Sequence, residues 1–205
     1  MLPLSLDLSR LRLALIGNDA AAAHRLSWLD EAGARAVQVF SPAPSRELEK
    51  RAGDRLERRW PATADLAHAQ LVFIADIDEP ERSALTLAAR EAGAIVHVED
   101  APELTDLHAP AVLRRGDLTI AISTQGAAPG LAGELKQFLA RVFGPEWQGR
   151  VEEMRQLRRR WRKAGVSHEL IRSMTASRLA RYGWINKNNV DAANDRGTAN
   201  EQRGG

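Results

Sequence analysis

Two segments near the middle of the chain carry residues suited to chemistry. Asp100 follows the β-branched run 96–98, and parallel α/β sheets place working residues at that edge. The run Leu118–Ile122 leads into the turn Ser123–Gly126. We predict that both runs are buried strands. A carboxylate can move a proton, and hydroxyl and backbone N–H groups can bind an anion, so the two segments predict proton transfer on an anionic ligand.

A pattern dispersed over residues 96–132 surrounds both segments, and it reads VHVEDAPELTDLHAPAVLRRGDLTIAISTQGAAPGLA. It resembles the signature of the precorrin-2 dehydrogenase/sirohydrochlorin ferrochelatase family, which forms the N-terminal part of sirohaem synthase. That signature is N-V-x-D-x-P-x-L-C-D-F-x-x-P-A-x-x-x-R-G-x-L-T-I-A-I-S-T-G-G-x-S-P-x-L-A. This chain departs from the signature at His97, Thr105, Leu107, Gln125 and Ala128, where the family has Asn, Cys, Phe, Gly and Ser.

The resemblance implies an oxidoreductase that uses NAD to convert precorrin-2 to sirohydrochlorin in sirohaem biosynthesis. The enzyme would act either as a dehydrogenase alone or also as a lyase that inserts Fe2+. The resemblance assigns the catalytic, proton-handling role to Asp100, which a carboxylate at a cleft can perform. The alternative is that Asp100 only ends the turn before Pro102. The family also implies a homodimer, and we expect a cytoplasmic protein.

The first strand-to-helix turn is the predicted dinucleotide site. Such folds use Gly-x-Gly-x-x-Gly/Ala there, and the family's version is Gly-Gly-Gly-x-Val-Ala-x-x-Lys. Gly17 and Ala22 fit, but Asp19 stands where the glycine nearest the pyrophosphate is expected. Two like charges about 4 Å apart repel by roughly 4 kcal/mol at an effective dielectric of 20. Asp19 could instead be an ordinary helix N-cap, and Arg25 or His24 could compensate its charge.

The resemblance predicts NAD as the cofactor. Ser41 closes the second strand, where an acidic residue would bind the ribose. The predicted cofactor-binding residues are Gly17, Asn18, Asp19, Ala20, Ala22, Ser41 and Ala75. Because Asp19 opposes phosphate binding, the alternative is an NAD-independent sirohydrochlorin chelatase or tetrapyrrole-binding protein that has lost this site.

The tetrapyrrole substrate carries carboxylates that basic and hydroxyl groups can bind. The predicted substrate-binding residues are His108, Arg114, Ser123, Thr124 and Gly126. Arg114 and Arg115 precede a predicted strand, and as adjacent residues they should point to opposite faces, so at most one faces the cleft. His97 and His108 can equally be partly buried structural histidines, and the turn can be a simple strand-to-helix connection. No His-x-x-x-His spacing occurs, so we predict no permanent metal site.

Alternating strands and helices predict an α/β fold with a Rossmann-like, doubly wound parallel sheet. The predicted strands are Leu11–Ile16, Val37–Phe40, Leu71–Ala75 and Ile95–Val98, and the predicted helices are Ala20–Ala32, Ser45–Ala52 and Glu81–Ala92. The predicted domains are an NAD-binding domain (1–113), a small α+β dimerisation and substrate region (114–145), a helical subdomain (146–185) and a disordered tail (186–205).

Composition narrows the classes of protein. The chain has no cysteine, which excludes disulfides and thiolate chemistry. A net charge of +2 is low for an electrostatic nucleic-acid binder, and no window reaches the length of an apolar membrane span, so we predict neither partner. We also predict no signal peptide. The arginine-rich helix Pro145–Ala164 presents either a solvated face or a basic wall that attracts a polycarboxylate, and a non-enzymatic regulatory module that binds nucleic acid or a partner through this helix is the third alternative.

Overall fold

The computed structural model describes residues 2–185. The chain divides into two units, Met1–Ala109 and Pro110–Gly205. The division falls just before a β-hairpin. The start of the dimerisation and substrate region at residue 114 stays a prediction. So does the boundary at residue 146 between that region and the helical subdomain. The predicted tail, 186–205, lies outside the described residues.

A five-stranded parallel sheet forms the first unit, in the order β3-β2-β1-β4-β5. The strands are β1 (Arg12–Ile16), β2 (Ala36–Phe40), β3 (Leu56–Glu57), β4 (Leu71–Ile74) and β5 (Ile95–Val98). The chain reverses its direction of travel across the sheet between β1 and β4. Sheets of this kind bind ligands beyond the strand ends at that switch point.

Helices cover both faces of this sheet. They are α1 (Ala20–Glu31), α2 (Arg46–Ala52), α3 (Thr63–Leu66) and α4 (Glu81–Glu91), with short 3-10 turns at Leu8–Arg10 and Gly53–Arg55. Alternate residues of β1 point to opposite faces, so Leu15 packs with Leu26 of α1 and Ile16 packs with Leu85 of α4. Both faces of the central strands are therefore apolar, which confirms the predicted doubly wound α/β sheet.

The second unit begins with an antiparallel hairpin of β6 (Ala111–Arg115) and β7 (Leu118–Ile122). Three helices follow, α5 (Pro129–Val142), α6 (Trp147–Lys163) and α7 (His168–Tyr182). Within residues 110–185 the buried apolar residues are few, namely Leu113, Ala132, Trp147 and Ile171. Arg115 supports the hairpin, because its guanidinium donates to the carbonyl oxygens of Phe143 (2.8 Å) and Ala140 (3.3 Å).

The structure corrects three details of the predicted elements. The run Leu118–Ile122 is not a buried strand, because β7 pairs with β6 alone and alternate residues are exposed. The pattern also missed three short elements, namely β3 of two residues, α3 of four residues and β6 of five residues. The arginine-rich helix begins at Trp147 rather than Pro145. Within residues 2–185 no helix is long and apolar enough to cross a membrane.

Candidate active site

The turn from β1 to α1 is held tightly against the end of β4. A Cβ atom on Gly17 would stand 2.4 Å from the Ala75 carbonyl oxygen and 2.7 Å from the Ala22 Cβ. Both distances are too short for any side chain. The Gly17 N–H also donates to the Phe40 carbonyl at 3.1 Å. Three of the predicted cofactor-binding residues, Gly17, Ala22 and Ala75, thus meet in one tightly packed turn at the switch point.

Asn18 and Ser41 brace the neighbouring loop after β2. The buried Ser41 hydroxyl donates to the Asn18 side-chain oxygen at 2.7 Å. The Asn18 carbonyl accepts from the Ser45 N–H at 2.7 Å, and Ser45 in turn caps α2. The structure therefore uses Ser41 to fix the loop. Its position at the end of β2 still lies at the edge where a dinucleotide ribose is expected.

Asp19 occupies the N-cap position of α1, but its carboxylate does not cap the helix. Its side chain makes no capping hydrogen bond within the described chain. Instead, Asp76 supplies the cap from the loop after β4, because its Oδ2 accepts the Ala22 N–H at 3.0 Å. Asp76 holds a left-handed backbone conformation, with φ of 56°. Asp19 therefore stands at the N-cap position as predicted, but the prediction that its side chain caps α1 is wrong.

The turn fits a dinucleotide in shape. The N–H groups of a first helical turn have no carbonyl partner within the helix, and they attract phosphate. Ala20 and Ala21, in the first turn, present only methyl side chains, so a ligand can approach the backbone. The charges oppose this fit, because Asp19 is exposed beside the turn and Asp76 already accepts one first-turn N–H.

Asp100 lies at the corresponding edge of β5. It is exposed, and it adopts a left-handed conformation with φ of 56°. Across residues 2–185 its carboxylate has no hydrogen-bond or ion-pair partner. The preceding Glu99 N–H donates to the Ile74 carbonyl at 3.0 Å, which continues the sheet up to the turn. Asp100 is thus a solvent-facing carboxylate on a fixed turn, suited to accept a proton.

The loop after Asp100 is fastened to the edge of β5 by side chains. The Thr105 hydroxyl accepts from the Val98 N–H (2.7 Å) and donates to the Val98 carbonyl (3.1 Å). Asp106 Oδ2 accepts from the Val96 N–H at 3.0 Å, and the Asp106 N–H donates to the Val96 carbonyl at 2.8 Å. These hydrogen bonds satisfy the backbone N–H and C=O groups of Val96 and Val98, as pairing with a further strand would.

Asp106 also pairs with Arg90 of α4, at 2.7 Å. Burial acts to raise the pKa of Asp106, but the hydrogen bonds from Arg90 and from the Val96 N–H lower it overall. These contacts give Asp106 an architectural role.

An ion pair supports the Asp100 turn from below. The Arg25 guanidinium donates to Glu99 Oε1, with Nε 2.7 Å and Nη2 2.6 Å from that oxygen. The guanidinium lies over the rings of Trp28 (5.2 Å) and Phe73 (5.7 Å). Its side chain is only 14% exposed, so the pair is largely removed from water. Arg25 therefore anchors Glu99 and does not compensate Asp19.

His97 completes this cluster. A carbonyl can only accept, so the His97 Nδ1 carries the proton that is donated to the Leu107 oxygen at 2.9 Å. Its Nε2 then faces the Arg25 Nη2 at 3.4 Å as an acceptor. Burial lowers the pKa of His97 to about 4, and the nearby positive charge of Arg25 adds to this effect. His97 is therefore neutral at neutral pH and structural. His108 is partly buried.

The remaining predicted substrate-binding residues belong to the second unit. Arg114 is exposed, as expected from its opposition to the bonded Arg115. The Ser123 hydroxyl accepts from the Gln125 N–H and the Thr124 hydroxyl from the Ala128 N–H, each at 3.1 Å.

These hydroxyl groups shape the turn before α5, where Gly126 has a φ of 80°. Because Asp100 lies in the first unit and this turn in the second, their joint use stays a prediction. In the described part of the chain no three His, Asp or Glu residues cluster to hold a metal ion.

Sheet order, the packed glycine turn and the switch point together define a Rossmann-like, dinucleotide-binding class of domain. A family model described as "Putative NAD(P)-binding" matches residues 4–111. The chain therefore belongs to this NAD(P)-binding family.

Curated relatives extend the match beyond that domain. The chain is 36% identical over 132 residues to the siroheme synthase of Ectopseudomonas mendocina, covering 64% of this chain and 28% of the relative. It is 33% identical over 137 residues to that of Methylococcus capsulatus, covering 66% and 29%. The chain thus spans less than a third of the length of these relatives. The similarity confirms the resemblance found in residues 96–132.

A solved structure matches along nearly the whole chain. It is that of "SirC, precorrin-2 dehydrogenase", with a TM-score of 0.71, 20% sequence identity, and coverage of 96% of this chain and 98% of the other. At this identity the likeness shows the fold.

Sequence reasoning missed Asp76 and the Arg25–Glu99 pair. Asp76 stands two residues beyond a buried strand, as Asp100 does, so the strand-end rule that singled out Asp100 could also have found it. Nothing in the pattern of the sequence marks Arg25 and Glu99 as partners, because the contact joins an early helix to the turn after the fifth strand.

Proposed function

We propose that this protein oxidises precorrin-2 to sirohydrochlorin with NAD, as a step of sirohaem biosynthesis in the cytoplasm. The NAD(P)-binding family match and the similarity to siroheme synthases support this assignment. The observation that carries it is Asp100, an exposed carboxylate without a partner in residues 2–185, held at the edge where the sheet binds ligands.

The reaction removes a hydride and a proton from the tetrapyrrole. NAD, when bound, takes up the hydride. In the proposed site the β1–α1 turn holds the dinucleotide through Gly17 and the first-turn backbone of α1, with Ser41 and Ala75 at its sides. The Asp100 carboxylate accepts the proton, because it faces solvent and its turn is fastened to β5.

The carboxylates of the substrate need cationic and hydrogen-bonding partners. We propose that the exposed Arg114 and the Ser123–Gly126 turn supply them, chiefly through the guanidinium and backbone N–H groups, since the two hydroxyls already accept bonds within the turn. A basic face on α6 would add long-range attraction for a polycarboxylate. Its exposed residues are Arg158, Arg159, Arg160, Arg162 and Lys163.

We further propose that the protein acts as a homodimer through its second unit. An isolated two-stranded hairpin is only marginally stable in water. On α5, next to this hairpin, Leu131 is 55% exposed and Leu135 is 40% exposed. A second copy of the chain that covers these side chains would supply the apolar burial that the unit lacks.

Purified protein mixed with precorrin-2 and NAD tests the proposal. We expect the absorption spectrum of sirohydrochlorin to develop with an equal amount of NADH. A folded protein that converts precorrin-2 no faster with NAD than without it would rule out the dehydrogenase assignment.

A second function is favoured by Asp19 and Asp76, the two carboxylates beside the phosphate position. If they prevent dinucleotide binding, the protein acts instead as an NAD-independent sirohydrochlorin chelatase, with Fe2+ as its substrate, or as a tetrapyrrole-binding protein. Asp100 would then accept the protons that the metal displaces. Metal insertion into sirohydrochlorin without any NAD, monitored by absorption, distinguishes this function from the first.

A further inference from the structure

The contact between Asp76 and α1 joins two elements that are far apart in the sequence. The Asp76 carboxylate reaches from the loop after β4 to the Ala22 N–H, 54 residues away, at 3.0 Å. A helix is usually capped by the residue at its own N-cap position. Here that residue is Asp19, whose side chain makes no capping bond within the described chain. The cap therefore comes from the opposite side of the switch point.

This carboxylate has the chemistry of the ligand group expected there. A helix N-terminus binds anions because its first N–H groups are unpaired and its dipole is positive. In dinucleotide-binding folds the anion is the pyrophosphate, held where the first strand enters its helix. Asp76 brings a negative charge and a hydrogen-bond acceptor to the same N–H groups. It stands beside Ala75, whose carbonyl closes on Gly17.

We propose that the Asp76 carboxylate occupies the position of a dinucleotide phosphate at the N-terminus of α1 and lowers the affinity of the site for NAD. The inference rests on the proposed function, since it assigns the same turn to NAD. Binding then requires Asp76 to leave the Ala22 N–H and to tolerate the phosphate nearby. Asp76 is thus a residue that sets cofactor affinity without taking part in the reaction.

The variant Asp76→Asn isolates the charge. Its amide oxygen can still accept from the Ala22 N–H, and asparagine tolerates the left-handed conformation of this position. Asp78→Asn is the matched control, because Asp78 is also exposed and its replacement changes the net charge equally. Asp76→Gly is the second variant, since glycine suits the same backbone and removes the side chain. Circular dichroism checks that each full-length variant is folded.

Calorimetric titration with NAD, inorganic pyrophosphate and adenosine measures the effect. We expect Asp76→Asn to bind NAD and pyrophosphate about tenfold more tightly than the parent protein, and adenosine equally well. Asp78→Asn should bind all three as the parent does. A gain in affinity for NAD and pyrophosphate but not for adenosine would show that an anion competing with phosphate had been removed.

The inference is overturned by equal or weaker NAD binding by both Asp76 variants, by the same gain in affinity in Asp78→Asn, or by the absence of NAD binding in the parent protein and every variant. A gain for adenosine alone would also contradict it, because adenosine carries no phosphate. The inference and the proposed function can fail separately. Tighter NAD binding by Asp76→Asn without oxidation of precorrin-2 supports the first and refutes the second, whereas NAD-dependent oxidation with unchanged affinity does the reverse.

Discussion

The ends of β4 and β5 present the same residue in the same backbone geometry, with different surroundings. Asp76 and Asp100 each stand two residues beyond their strand, and each has a φ of 56°. Asp76 gives its carboxylate to the Ala22 N–H, whereas Asp100 keeps its carboxylate without a partner in residues 2–185. The strand end alone therefore does not define a role. The neighbouring element does.

The two strands also differ beneath these turns. Phe73 of β4 and His97 of β5 are partners in the sheet register, and their rings lie 5.6 Å apart. The β4 position is wholly apolar, while the β5 position carries a buried histidine beside the Arg25–Glu99 pair. The strand before Asp100 thus carries a histidine beside this ion pair, whereas β4 presents only the ring of Phe73 to the same Arg25 guanidinium.

The largest expected effect is the loss of catalytic rate when Asp100 is replaced. Asn keeps the shape and tolerates the left-handed conformation, but it cannot accept a proton. We expect Asp100→Asn to lower kcat for precorrin-2 oxidation by about 10²–10⁴-fold with NAD affinity unchanged. Steady-state rates and NAD titration measure the two quantities.

Asp106→Asn is the control for this variant, and we expect a milder loss, because Asp106 holds the loop through Val96 and Arg90. Turnover by Asp100→Asn at the parent rate would make Asp100 a turn residue. The proton acceptor would then be sought elsewhere, with His108 as the next candidate.

The second largest effect is the dependence of stability on pH that the buried His97 produces. The pKa of His97 is about 4 in the folded protein, against an ordinary value of 6.5, chiefly because the ring is buried. Between these values the unfolded chain binds a proton that the folded protein does not. The free energy of unfolding should therefore be fully retained above pH 6.5 and fall as the pH drops towards 4, by on the order of 3 kcal/mol.

Urea unfolding at a series of pH values measures this loss. His97→Asn, which restores the residue of the family signature, should remove the slope in that window. Asp65, whose pKa is lowered to about 2 mainly by Arg59, acts at lower pH and does not interfere. An identical slope in His97→Asn would show that another group titrates.

The smallest expected effect is that of replacing Asp19, which precedes α1 near the Asp76 carboxylate. Asp19 is exposed and makes no capping bond within the described chain, so solvent screens its charge. We expect Asp19→Gly to tighten NAD binding by about fivefold or less, with little change in stability. Calorimetric titration beside Asp76→Asn measures it. A gain larger than that of Asp76→Asn would make Asp19 the main opposing charge, and unchanged or weaker binding would show that Asp19 points away from the pyrophosphate.

Local patterns in the sequence predicted the doubly wound sheet, because alternating apolar strands and capped helices carry that information within short windows. Gly17 was predicted as a site residue from the glycine pattern of the first strand-to-helix turn, and Asp100 from its place after a strand and from the family resemblance. The Asp76 and Arg25 contacts were not, since each joins segments more than fifty residues apart and depends on how α1 packs on the sheet. The hairpin strand β7 was misjudged because its β-branched run resembles a buried strand, although only one face is covered.

The fastening of residues 105 and 106 onto β5 has a consequence for colloidal behaviour. β5 is an edge strand, and unpaired N–H and C=O groups on such an edge invite strands of other molecules to add. Thr105 and Asp106 already occupy those groups at Val98 and Val96. At the opposite edge, β3 is too short to template a partner. The same bonds that hold the Asp100 loop therefore protect the sheet against edge-to-edge aggregation at high protein concentration.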